Sequence, residues 1–154
     1  MTGETGGMSV LYAGRDSWEK NLPMLDRACS RAGVRLTIVS DRPWTELPAI
    51  YQSADLFCLP SLYEGSPKAL WEAMACGVPT LASSAIDDRP PAGTTQLLDP
   101  RDEDAWAQAI RDTLQDPAAA QQRAARALLW IQRERDARVL TQREIEFVRS
   151  FVGD

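Results

Sequence analysis

Two glutamates, Glu64 and Glu72, stand with seven residues between them in the stretch ADLFCLPSLYEGSPKALWEAMACGVPTLAS, residues 54–83. They are set across a strand-loop-helix junction, and each half of the run has a physical reading. Asp55–Leu59 is a short apolar run of strand formers closed by Pro60, which predicts a buried strand. Ser66 is a good N-cap and Pro67 suits the first helical position, where its missing N–H costs nothing. The helix then carries Leu70, Ala73 and Met74 on one face and stops at Gly77. Val78 to Ala82 predicts the next strand. A strand, a loop holding an acid, a helix N-terminus and a strand form the layout of a ligand site at the carboxyl edge of a parallel sheet.

The rest of the chain repeats this alternation. Strands are expected at Ser9–Gly14, Val34–Ser40 and Gln96–Asp99. Helices are expected from about Lys20 to Ala32, from about Thr45 to Ser53, and after an Asp102 cap, where Trp106, Ala109, Ile110 and Leu114 make a buried stripe. Such alternation predicts an α/β, Rossmann-like domain of three layers with a parallel sheet. Residues 1–8 are expected to be a disordered tail, 9–117 the ligand-binding domain, and 118–154 two C-terminal helices broken near Asp136.

The residues PSLYEGSPKALWEAMACGVPTLAS resemble the donor-binding signature of retaining, GT-B-fold glycosyltransferases of the family 4, or group 1, type. That pattern is roughly P-S-x-x-E-G, then E-A-M-A-x-G-x-P and an apolar strand, and nearly every fixed position is matched. A second element agrees: Gly14-Arg15 follows the first strand and Lys20 opens the next helix, as in the family's G-R-x-x-x-x-K. The resemblance runs from about Val10 to about Asp116 and corresponds to the C-terminal half of a GT-B enzyme.

The resemblance implies a nucleotide diphosphate sugar as donor, such as a UDP- or GDP-sugar, with no metal and no further cofactor. Arg15 and Lys20 would hold the diphosphate, Arg through a forked contact and Lys as a point charge. Lys68 and the backbone N–H groups near Lys68 and Ala69 would add to them at the helix N-terminus. Glu72 would accept from the ribose hydroxyls and Glu64 would contact the sugar. Gly14, Gly65 and Ser66 would line the phosphate loop, where Gly65 permits close approach. Retention at the anomeric carbon is implied, with neither glutamate as covalent nucleophile. On spacing alone, Glu72 could instead pair with Lys68 across one helical turn. Trp71 and Trp106 are expected to pack on helix faces, while Trp18, between Arg15 and Lys20, fits a ligand contact equally well.

Composition narrows the classes. With 17 basic and 22 acidic residues the net charge is −5, which argues against nucleic-acid binding. No apolar run approaches the ~18 residues of a membrane span. There is no histidine, which removes His-based acid–base chemistry and His-containing metal sites. Cys29, Cys58 and Cys76 fall in expected core elements, which predicts buried free thiols and a reducing cytoplasm.

The chain also departs from the family pattern. Only the donor half is present, the Val39–Tyr51 stretch is compressed, and residues 84–93, SAIDDRPPAG, replace the family's Gly-Gly and acidic element. Residues 121–149 carry seven arginines against four acids. Those C-terminal helices could cover their own sheet, meet an acceptor-binding partner chain or a second copy, or rest on an anionic membrane surface. Two alternatives to a working donor subunit remain: a catalytically silent nucleotide-binding or interaction domain, and a truncated fragment. A dinucleotide-binding oxidoreductase is disfavoured because no Gly-x-Gly-x-x-Gly follows an expected strand.

Overall fold

The computed structural model describes residues 7–135. Five strands alternate with helices: β1 (Ser9–Ala13), α1 (Leu22–Ala32), β2 (Arg35–Val39), α2 (Leu47–Gln52), β3 (Leu56–Leu59), α3 (Lys68–Ala75), β4 (Thr80–Ser83), β5 (Gln96–Leu98), α4 (Glu103–Gln115) and α5 (Pro117–Glu134). All strand pairs are parallel and their order is β2-β1-β3-β4-β5. The chain runs outward from β1 to β2 and crosses back to β3. Loops after β1 and β3 therefore diverge, and the crevice between them at the strands' carboxyl ends is where such sheets bind ligands. The expected Rossmann-like α/β fold is present.

The core follows from the apolar runs. Strands β1, β3 and β4 are buried along their whole length, flanked on one side by the α1–α4 pair and on the other by α3 with α2 and α5. Trp106, Tyr12, Tyr51 and Phe57 are the largest fully buried side chains. Strand β2 is the exposed edge, and Arg35 and Thr37 suit it. Cys29 and Cys58 are free and buried, and burial pushes the Cys29 thiol up to about 12, so both are inert. No described helix is long and apolar enough to cross a membrane.

Three helix starts differ from the sequence expectation. The helix expected from Lys20 is split into a 3-10 turn at Trp18–Lys20 and α1 from Leu22, because Asn21 takes a left-handed conformation (φ 60°). Asn21 Nδ2 donates to Pro60 O (3.0 Å) and Pro100 O (2.8 Å), so this kink pins three loops at the site edge together. Helix α2 starts at Leu47 rather than Thr45, with a proline in its first turn. Ser66 is not the N-cap of α3: Pro67 is, without a side-chain cap bond, because the Ser66 hydroxyl is turned to Asp88. The Asp102 cap forms as expected, accepting from Ala105 N at 3.0 Å. Helix α5 packs on α3 and α4 through Ala120, Ala124, Ala127 and Ile131. The break near Asp136, the helix beyond it and most of the residue 1–8 tail lie outside the described residues.

Replacing Asn21 by Ala removes both bonds and puts a Cβ-bearing residue without a polar side chain at a positive φ. Destabilisation of about 1–3 kcal/mol is expected from urea unfolding. An unchanged midpoint would show that the kink is held by other means.

Candidate functional site

The loop after β1 is shaped by a buried phenol. The Tyr12 hydroxyl donates to Arg15 O at 3.0 Å, beneath the turn. Gly14 closes that turn at φ 148°, and a Cβ there would lie 2.7 Å from the Tyr12 hydroxyl oxygen. Gly14 N donates to Val39 O at 2.9 Å, tying the turn to the end of β2. Burial, and then the negative charge of Glu64, push the Tyr12 phenol up to about 12. It therefore remains a donor throughout the neutral range.

The loop after β3 carries Glu64, whose Oε1 forms a short ion pair with Lys20 Nζ and accepts from Ser61 Oγ at 3.0 Å. The two charged side chains are only 14% and 18% exposed. The backbone fixes Glu64 as well: its N–H donates to Ala85 O (3.1 Å), its carbonyl accepts from Asp87 N (2.9 Å), and a parallel bridge pairs it with Ile86. Residues 84–88 thus splint the glutamate loop. Leu62 N donates to Glu19 O at 2.8 Å, joining this loop to the turn that carries Lys20.

Glu72 projects from the middle of α3, where the Tyr51 hydroxyl donates to its Oε2 at 2.8 Å. The Lys68–Glu72 pair that helical spacing allows does not form. Burial, then the bond to Glu72, raise the Tyr51 phenol well above its ordinary value, so it too stays protonated. At the start of α3, Lys68 N–H is turned onto Ser66 O at 3.1 Å, which leaves Ala69 N–H as the backbone donor without a backbone partner.

Two cavities meet over these residues. One, of about 270 Å³, runs from Gly14 and Arg15 past Val39–Arg42 to Tyr51 and Glu72. The other, of about 340 Å³, runs from the same Gly14 and Arg15 past Lys20 to Glu64, Ser66 and Pro67. Arg15, Lys68 and Ala69 line both, so they stand where the two compartments join. Arg15 and Lys68 are exposed and form no ion pair among the described residues, whereas Lys20 is already paired. An anion would meet two cations without an ion-pair partner among the described residues, with one anchored carboxylate in each compartment. Among the described residues, no group of three or more Cys, Asp and Glu is placed to hold a metal ion.

The chain matches the model of the glycosyl transferases group 1 family over residues 7–116. It belongs to that family. It is 32% identical over 123 residues to O-antigen chain mannosyltransferase B of Escherichia coli, covering 77% of this chain and 32% of that protein. It is 33% identical to glycogen synthase of Mycobacterium tuberculosis, covering 78% and 37%. Among solved structures, sucrose-phosphate synthase of Thermosynechococcus elongatus superposes with a TM-score of 0.88 at 23% identity, over 95% of this chain and 46% of that one. Anabaena HepE, solved with UDP-glucose, gives a TM-score of 0.83 at 19% identity, over 94% and 49%. The chain therefore spans about a third of those curated relatives and about half of those solved chains.

In this group 1 domain the motif residues Gly14, Arg15, Lys20, Glu64, Gly65, Ser66, Lys68, Ala69 and Glu72 all come to one edge of the sheet. The Ser66 hydroxyl donates to Asp88 Oδ2 (3.1 Å), and the two oxygens of that carboxylate also accept one bond each from Arg135, at 2.6 Å (Oδ1) and 2.7 Å (Oδ2). Trp71 and Trp106 pack as expected, Trp71 against Trp130 and under Arg135, and Trp106 in the core. Trp18 stands 82% exposed beside the Lys20 turn. Sequence reading missed Tyr12, Tyr51, Asn21 and the Asp88–Arg135 pair. Tyr12 was detectable in principle, as the aromatic two residues before a strand-ending glycine. The others contact residues between 21 and 79 positions away and leave no spacing signal.

Gly14→Ala would drive a methyl group into the Tyr12 hydroxyl and force a strained φ, a loss of about 1–3 kcal/mol. Part of that loss should return in a Gly14→Ala, Tyr12→Phe double variant, measured by thermal unfolding. Strictly additive losses would show that the hydroxyl does not shape the turn.

Proposed function

We propose that this domain binds a nucleotide diphosphate sugar and serves as the donor half of a retaining glycosyltransferase. The observation that carries the reading is the junction of the two cavities. Arg15 and Lys68 stand unpaired there, with Ala69 N–H beside them at the start of a helix. A diphosphate at that point would leave the nucleoside to the Glu72 compartment and the hexose to the Glu64 compartment. HepE, of the same fold, was solved with UDP-glucose and with UDP, which supports this class of donor.

The chemistry follows from charge. As the bond from the anomeric carbon to the diphosphate oxygen breaks, its electron pair leaves with the phosphate. Negative charge grows where Arg15 and Lys68 lie, and Lys20 has two further N–H donors beyond the one given to Glu64. The acceptor hydroxyl oxygen bonds to the anomeric carbon on the face the diphosphate leaves, and its proton passes to the departing phosphate oxygen. Glu64 accepts from Lys20 and Ser61 through Oε1, which leaves Oε2 as an acceptor for a sugar hydroxyl, and no covalent nucleophile is needed. The role of Glu64 is to orient the sugar. No step needs a metal or a cofactor.

The acceptor would be held by a second half outside these 154 residues, in keeping with the share of the relatives' length that this chain spans. The buried free thiols fit a reducing, cytoplasmic setting.

Calorimetric titration with UDP, GDP and ADP tests the reading. Saturable binding of one of them is expected, weakened about 10- to 100-fold in Arg15→Ala and in Lys68→Ala, each of which loses one charge-assisted contact. Affinity unchanged in both folded variants would remove the diphosphate from the junction. Binding without hexose transfer, once an acceptor half is supplied, would favour a silent nucleotide-binding domain.

A further inference from the structure

We infer that Tyr51 is a positioning residue that holds Glu72 ready for a ribose hydroxyl, so that the site selects ribonucleotide over deoxyribonucleotide donors. The inference rests on the donor reading above and goes beyond it to a residue outside the signature.

Tyr51 lies in the last turn of α2 and is 1% exposed. Its ring packs against Phe57, centroids 5.7 Å apart, within the core. Its hydroxyl, screened from water, donates to Glu72 Oε2 at 2.8 Å. Glu72 itself is an exposed helical residue. An exposed glutamate ordinarily samples several rotamers, and a ligand that used it would bear the cost of freezing them. Here that cost is met on folding. The same carboxylate lines the cavity that also holds Gly14, Arg15 and Lys68. Tyr51 gives Glu72 its one side-chain hydrogen bond among the described residues, which leaves Oε1 to accept from a ligand. A carboxylate fixed through one oxygen presents the other in a set direction, which suits a hydroxyl donor and gives nothing to a C–H. Packing alone does not explain the hydroxyl, since a phenylalanine would fill the same space.

The test titrates the full chain, Tyr51→Phe, Glu72→Ala and the double variant with UDP, GDP and ADP and with their 2′-deoxy and 3′-deoxy forms. The wild-type chain is expected to prefer the ribonucleotide by about tenfold over at least one deoxy form, the contribution of one hydrogen bond to a charged group. In Tyr51→Phe that preference should fall towards parity through loss of ribonucleotide affinity, with deoxynucleotide affinity unchanged. Tyr51→Phe should add nothing in the Glu72→Ala background. A merely structural tyrosine would weaken ribo and deoxy forms alike and in both backgrounds, which would overturn the inference. So would a Tyr51→Phe chain that fails to fold, because the hydroxyl would then serve the core. A wild-type chain that binds a nucleotide without ribose preference overturns this inference alone. One that binds none of the nucleotides removes the donor reading as well.

Discussion

The ion pair between Lys20 and Glu64 joins the two loops that the sheet topology drives apart. Strand order places β1 and β3 side by side while their outgoing loops turn in opposite directions, which opens the crevice. Lys20 comes from the first loop and Glu64 from the second, and both are mostly withdrawn from water. Withdrawing such charges is tolerable only when they are paired and hydrogen-bonded, and removing one partner costs about 3–5 kcal/mol. The Leu62–Glu19 backbone bond and the Asn21 side chain close the same gap, and Ser61 steadies Glu64 within its own loop. The crevice is thus open at its mouth and tied at its floor.

That arrangement separates two kinds of charge. The inner pair is neutral overall and contributes shape. The outer cations, Arg15 and Lys68, form no ion pair among the described residues. On the proposed reading, a ligand with a doubly charged centre and hydroxyl-bearing ends would fit this division: its anion would meet those cations, and its hydroxyls would meet carboxylates already fixed by Lys20 and by Tyr51. Preorganisation of this kind lowers the ordering cost of binding. The stretch after β4 adds to it: the backbone of Ala85, Ile86 and Asp87 supports Glu64.

Much of the fold was legible because its strands are short apolar runs with hard stops. LFCL ends at Pro60, and TLAS begins after the Gly77 helix stop, where φ is 73°. The site was legible to the extent that it is written in contiguous sequence, from Glu64 to Glu72 and from Gly14 to Lys20. Boundaries failed where a local preference met a tertiary partner. Ser66 has the chemistry of an N-cap but finds a better acceptor in Asp88, itself held by Arg135. Lys20 looks like the first residue of a helix, but Asn21 reaches Pro60 and Pro100 and breaks it. The Tyr51–Glu72 bond spans two helices with a strand between them, and no periodicity announces such a contact.

The most direct test of a crevice floor tied by Lys20 and Glu64 is a double-mutant cycle in urea with Lys20→Met, Glu64→Gln and the pair together. Each single variant leaves a mostly buried charge without its partner, whereas the double variant removes both. Large single losses and a double variant much closer to wild type than their sum are predicted. Single losses that simply add would contradict the account, because the two loops would then be held without the pair.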